Sequence, residues 1–174
     1  MAEIAILRNP ASGRGRSASA WQRFEAEASR LGLRYVAQET LGPGAAAEQA
    51  RELARTHAVV VAAGGDGTLG DVANGLLGTG AALGIVPLGT GNDFSRMLGI
   101  GTSVERAAQA LAQGSLFDCD AIRVEFEDGT SRIAMNICGT GFDAAVAERI
   151  NRGIRGLGGT AAYLAAVAME LAVH

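Results

Sequence analysis

Residues 58–62 read Ala-Val-Val-Val-Ala, and one residue later the chain reads Gly64-Gly65-Asp66-Gly67-Thr68. A run that is apolar at every position has no polar side to give to water. As a strand it must be covered on both faces, which happens where helices flank a parallel sheet. The run is too short and too β-branched for a buried helix, and the glycines end it sharply. One central parallel strand therefore predicts neighbours and crossover helices on either side in sequence.

The rest of the chain supplies them. Residues 4–8 form a first predicted strand. Residues 20–31 form a helix with Trp21, Phe24, Ala28 and Leu31 on one face at helical spacing, which reads as core packing. Residues 34–38 form a second strand and residues 44–56 an Ala-rich helix. The central run follows, then a helix through Leu69, Val72, Leu76 and Leu77. Residues 83–87 are another buried strand, and a helix over residues 104–113 closes the unit. The character changes near Phe117. Residues 119–127 and 132–138 alternate in polarity around Asp128-Gly129, a hairpin turn signal, and residues 142–151 and 160–173 read as helices. This predicts an α/β domain over residues 1–117 and the beginning of a second, incomplete domain over residues 118–174, because one hairpin and two helices do not make a core of their own. An unfinished sheet favours self-association through its edge.

Composition narrows the functional classes. Of 174 residues, 48% are hydrophobic and 19% charged, a globular balance, and the net charge of −3 without a basic stripe argues against a nucleic-acid partner. Two cysteines, Cys119 and Cys138, are too few for a disulfide framework and are expected to be reduced, buried and structural. The first residues lack the basic and apolar regions of a signal peptide, and no apolar stretch reaches the roughly 20 residues of a membrane span. The expected compartment is the cytoplasm, with any membrane contact peripheral, at the inner face. Neither His57 nor His174 has partners at metal or triad spacing, and the Gly-Lys-Ser/Thr phosphate loop is absent.

Three loops carry the chemistry. Each follows a predicted strand, where open α/β sheets bind their ligands. In Gly64-Gly65-Asp66-Gly67-Thr68 the glycines let backbone approach a phosphate, and Thr68 is placed to cap the next helix. Asp66 would be repelled by phosphate unless a cation such as Mg²⁺ lay between, often through water; the plainer reading makes Asp66 a helix cap. In Gly89-Thr90-Gly91-Asn92-Asp93, Thr90 offers a hydroxyl to a nucleotide, and Asn92 or Asp93 can cap the next helix. In Asn9-Pro10-Ala11-Ser12-Gly13, Pro10 ends the strand and Ser12-Gly13 can turn N–H groups toward a phosphate, with Arg14 and Arg16 adding positive charge. The plainer readings are ordinary strand-to-helix loops. Thr40 lies at the same sheet edge.

Together these strings resemble the diacylglycerol kinase catalytic domain, the family that includes bacterial lipid kinases and the sphingosine and ceramide kinases. The match continues through Asp71-Val72, Asn74-Gly75-Leu76, Gly84-Ile85-Val86-Pro87-Leu88, Phe94-Ser95-Arg96, Phe117-Asp118, Met135-Asn136 and Gly141-Phe142-Asp143. The resemblance implies a three-layer, doubly wound, mostly parallel sheet of the NAD kinase/diacylglycerol kinase type, followed by the start of a β-sandwich domain. It implies ATP bound by Asn9, Pro10, Ala11, Ser12 and Gly13, by Thr40, by Gly64, Gly65, Asp66, Gly67, Thr68, Leu69, Gly70 and Asp71, and by Gly89, Thr90, Asn92 and Asp93. It implies Mg²⁺ held through water by Asp66 and Asp118, the two carboxylates given catalytic roles, and transfer of the γ-phosphate to a lipid hydroxyl at a membrane surface. The family's general-base glutamate belongs to the β-sandwich, and neither Glu148 nor Glu170 matches it. Two other readings stand beside this one. NAD kinases, which use a soluble acceptor, also carry a Gly-Gly-Asp-Gly loop, and a module that binds nucleotide without transferring phosphate could regulate a partner. On the sequence alone, Asp66→Asn is expected to leave the fold intact.

Overall fold

The structure, a computed structural model, describes residues 4–42, 44–153 and 159–172. Four parallel strands form its main sheet: β1 (Ile4–Arg8), β2 (Tyr35–Glu39), β3 (Val59–Gly64) and β4 (Ala82–Pro87), in the order β2-β1-β3-β4. The register sets Ile6 opposite Ala37 on one side and opposite Val61 on the other, and Val61 opposite Gly84. Alternate residues of each strand face opposite layers. Ile4, Ile6, Val61, Ala63 and Val86 pack with α1 (Ser17–Arg30) and α5 (Val104–Gln113), through Trp21, Phe24, Ala28, Ala107 and Ala108. Leu7, Val60, Ala62 and Ile85 pack with α2 (Ala46–Leu53), α3 (Asp66–Leu76) and α4 (Asp93–Met97), through Ala50, Leu69, Val72, Leu76 and Phe94. This is the three-layer α/β arrangement the unbroken apolar runs require.

Glycine sets the distance between α2 and α3. A Cβ on Gly75 would lie 2.1 Å from the Ala47 carbonyl oxygen, so the two helices touch backbone to backbone there. In the other layer, Arg23 of α1 pairs with Glu105 of α5 at 3.2 Å, and Glu27 of α1 gathers two donors. Arg30 donates to both oxygens of Glu27 at 2.8 and 2.7 Å, and Gln109 of α5 donates to Glu27 at 3.0 Å. These hydrogen bonds, that from Arg30 first, hold the Glu27 carboxyl down at about 2.

The antiparallel hairpin is shorter than the alternation suggests: β5 spans Ile122–Glu125 and β6 spans Ser131–Ala134. Its turn is fixed by Asp128, which accepts from the Thr130 hydroxyl at 2.6 Å and amide at 2.9 Å; these two bonds hold its carboxyl below the usual range. Cys119 and Cys138 therefore lie beyond the strand ends, and both are exposed thiols rather than the buried ones expected. The chain divides into two compact units after Asn136, and the hairpin is fastened to α3 of the first unit. The second unit holds α6 (Phe142–Arg152) and α7 (Gly159–Leu171), where Arg149 pairs with the buried Glu170 at 2.6 Å. Among the described residues no helix is long and apolar enough to cross a membrane.

Candidate functional site

The order β2-β1-β3-β4 means that the chain leaves β1 toward one edge of the sheet and afterwards builds toward the other. The point of reversal lies between β1 and β3, and there the loops at the carboxyl ends of the strands diverge and leave a crevice. A cleft of about 610 Å³ opens there, walled by Asn9, Pro10, Ala11 and Ser12 after β1, by Thr40 after β2, and by Gly65, Gly67, Thr68 and Asp71 at the start of α3. Sequence reasoning missed its remaining wall, Leu41, Gly42, Gly44 and Ala46. The available signal was position alone, since these residues follow β2 at the same sheet edge as Thr40.

The two principal walls are joined directly. The Asn9 amide nitrogen donates to Ala63 O at 2.9 Å, continuing the β1–β3 ladder, and Asn9 Nδ2 donates to Thr68 Oγ1 at 2.9 Å. Asn9 Oδ1 also accepts from the Ala11 amide at 3.0 Å, closing the turn through Pro10. Thr68 is thus not the expected cap. Gly65 occupies that position, and Thr68 sits in the first turn with its hydroxyl bonded across to β1's loop. The first N–H groups of α3 have no acceptor within the helix, and Gly65 and Gly67 keep the approach to them free of side chains.

The second glycine loop lies behind this wall instead of lining the cleft. Asp66 Oδ2 accepts from the Asn92 amide and Oδ1 from the Asp93 amide, both at 2.9 Å, so one carboxylate caps the start of α4. The Asn92 side chain, expected to cap that helix, turns back and exchanges hydrogen bonds with Gly89, accepting at 3.0 Å and donating at 2.8 Å. Asn92 itself is left-handed, with φ of 55°. The loops cross so closely that a Cβ on Gly89 would stand 2.4 Å from Gly65 Cα, and one on Gly65 would stand 3.2 Å from Gly89 Cα. Gly13 supports the first loop from beneath, where a Cβ would meet Leu88 O at 2.4 Å and φ is +70°.

Of the other expected site residues, Gly64 ends β3 against Thr68, Leu69 is buried in the core, and the Gly70 carbonyl accepts from Asn74. Thr90 and Asp93 are exposed. Asp118 is exposed on the connector between α5 and β5, outside the cleft lining. Arg16 is exposed and does not line the cleft, and the Arg14 side chain lies outside the described residues. Asp71 is the charged side chain among the described lining residues, and Arg132 of β6 approaches it at 3.7 Å. A ligand here meets glycine backbone, hydroxyls, one carboxamide and one carboxylate, together with the apolar side chains of Pro10, Ala11, Leu41 and Ala46, so the cleft offers a surface for phosphate groups beside an apolar one.

The comparisons with known proteins converge on the same region. Residues 3–124 match the diacylglycerol kinase catalytic domain. A diacylglycerol kinase of Mycobacterium tuberculosis is 33% identical over 175 residues, covering 97% of this chain and 55% of the relative. A probable YegS-like lipid kinase of Pseudomonas syringae is 37% identical over 114 residues, covering 64% of this chain and 35% of its own. Among solved structures, a diacylglycerol kinase of Bacillus anthracis superposes with a TM-score of 0.61 at 27% identity, over 68% of this chain and 42% of that one. The chain thus spans between about a third and just over half of the length of these relatives. With the loops, the sheet order and these matches in agreement over the same residues, the chain belongs to the diacylglycerol kinase catalytic domain family.

Proposed function

We propose that this chain carries the nucleotide-binding part of an ATP-dependent lipid kinase, which transfers the γ-phosphoryl group to a lipid hydroxyl such as that of diacylglycerol. The observation that carries the proposal is the cleft at the β1/β3 reversal, lined by two glycine-bearing loops and the open N-terminus of α3. The phosphates lie along the α3 N-terminus and the turn at residues 9–13, and the nucleoside extends toward Thr40 and Leu41. Phosphoryl transfer asks mainly for positioning and charge neutralisation, and the residues here supply position.

A magnesium ion fits this donor set only in a particular form. Mg²⁺ keeps several waters and takes one or two carboxylates together with substrate phosphates. No group of three or more His, Cys, Asp or Glu side chains is placed to hold a metal among the described residues, so a cage built wholly from protein does not fit, whereas a nucleotide-borne ion does. Asp71 is the carboxylate already in the cleft. Each Asp66 oxygen accepts one backbone N–H and retains a lone pair for a water. In the proposal Asp118 is the second carboxylate of that water network. The ion, when bound, neutralises charge that develops on the phosphates.

The acceptor lipid is reached at a membrane surface by peripheral contact. The decisive assay follows labelled γ-phosphate from Mg·ATP into mixed micelles of diacylglycerol, with NAD as a soluble acceptor in parallel, beside a titration of Mg·ATP binding. Label in the lipid phase is the expected result. Label in NAD would replace the lipid acceptor with a soluble one. Tight nucleotide binding without transfer to any acceptor would favour a regulatory module, and absence of binding would remove the proposal.

A further inference from the structure

The hairpin β5–β6 presents one free edge to α3, and a single side chain occupies it. Asn74 Nδ2 donates to Ile133 O at 2.9 Å, and the Ile133 amide donates to Asn74 Oδ1 at 2.8 Å. The carboxamide therefore takes the place of one residue of a neighbouring strand, satisfying both backbone groups of Ile133 on the side away from β5. Its second amide hydrogen bonds the Gly70 carbonyl at 2.8 Å, one turn earlier in α3. Both amide hydrogens and the oxygen of Asn74 are thus engaged between α3 and β6.

The neighbouring contacts lie along the same path. Asp71 sits one turn before Asn74 on the same helical face, and it meets Arg132, the residue before Ile133. Asp71 is also a wall of the cleft. Met135, two residues after Ile133, packs on the apolar cluster that holds Leu69, Val72 and Leu76 of α3. One helix thus has its N-terminus in the cleft and its third turn clamped to the hairpin.

We infer that Asn74 is a positioning residue: it fixes the hairpin on α3 so that occupancy of the cleft at the helix N-terminus is transmitted to β6. It does not line the cleft, so its effect reaches the bound group only through α3 and Asp71. The clamp stands on geometry alone. The coupling to a nucleotide rests on the proposed ATP-binding reading. The carboxamide is specifically suited to this, because it is the short side chain that offers a donor and an acceptor side by side, as a peptide unit does.

The test is amide hydrogen exchange at Ile133, with the Val61 amide of β3 as the reference for the intact core, in the native chain, Asn74→Ala and Asn74→Asp. Without ligand, Asn74→Ala is expected to speed Ile133 exchange about tenfold or more, the loss of two hydrogen bonds, with Val61 unchanged. Asn74→Asp keeps the acceptor but turns a carboxylate toward two carbonyls, and it should also speed exchange. Mg·ATP is expected to slow Ile133 in the native chain and to lose most of that effect in Asn74→Ala, although the variant still binds the nucleotide. Unchanged Ile133 exchange in both variants would overturn the clamp. Equal slowing by nucleotide in native and variant chains, or binding without slowing in the native chain, would overturn the coupling. Failure of the native chain to bind Mg·ATP would overturn the kinase reading and the coupling with it, while the ligand-free comparison would still decide the clamp.

Discussion

Asp66 answers to two sets of partners. Its carboxylate accepts the amides of Asn92 and Asp93, and the Asn92 backbone is among the buried parts of the loop. Asp66→Asn would replace one accepting oxygen by an NH₂ group facing an N–H. The variant is therefore expected to lose about 1–3 kcal/mol of stability, read from urea unfolding, in addition to losing transfer. This departs from the expectation drawn from sequence, in which neutralising Asp66 left the fold untouched. The sequence showed that an acidic residue stood in a glycine loop, and that was enough to mark the site. It did not show which amides the acid would face, because the partner amides are 26 and 27 positions away. The same limit explains Thr68 and Asn92. Thr68 was read as a cap of the helix beside it, and Asn92 as one of two candidates with Asp93; Thr68 accepts from Asn9 across the cleft, and Asn92 folds back on Gly89.

At the scale of elements, legibility followed burial. α5 matches its expected bounds, β4 lies within one residue of them and β3 within two, because a strand covered on both faces writes itself as an unbroken apolar run and α5 has Ser103 as a cap that accepts from Arg106 N. The hairpin was read too long, because half-exposed strands alternate in the same way as the connectors beside them. Helix packing gives a sharp prediction at Gly75. Gly→Ala in a helix interior normally gains about 1 kcal/mol of propensity. Here the new methyl would stand 2.1 Å from Ala47 O, which is backbone and cannot rotate away. Gly75→Ala is expected to be net destabilising by about 1–3 kcal/mol, measured by chemical denaturation, since overpacking outweighs propensity. The α1–α5 contact predicts a pH effect. Glu27 is held at about 2 against an ordinary 4.5, so its contribution is complete above roughly pH 4.5 and is lost as the pH falls toward 2. Glu27→Gln should flatten that part of the stability profile, seen as a smaller difference in urea midpoint between pH 6 and pH 3.

For the whole molecule, the sheet, both apolar clusters and the hairpin clamp all fall within residues 4–136. A chain ending at Asn136 is expected to fold cooperatively and to keep its cleft, with a melting temperature within about 5 °C of the 174-residue chain, the shift that roughly 1 kcal/mol brings in a domain this size. A broad, non-cooperative melt would show that the second unit is needed. The three-layer architecture was readable because the order of strand and helix patterns leaves few ways to cover a parallel sheet. The fastening of the hairpin to the first unit was not readable, since its contacts, Asn74 with Ile133, Asp71 with Arg132 and Met135 with the α3 cluster, join residues 59 or more positions apart.

The crossing of the two glycine loops also shapes how this chain tolerates change. Most crowded pairs in a protein can be relieved by shrinking one member after the other grows. Gly65 and Gly89 leave no such route, since neither has anything left to give up, and the nearest atom each would meet is the other's Cα, with the Asn92 side chain crowding Gly89 besides. In a saturation library, position 89 should stand as an empty column and position 65 as a sparse one, and no second-site change at the partner would refill either. Drift in this chain can rewrite exposed positions of α1 such as Gln22 while these two positions stay fixed.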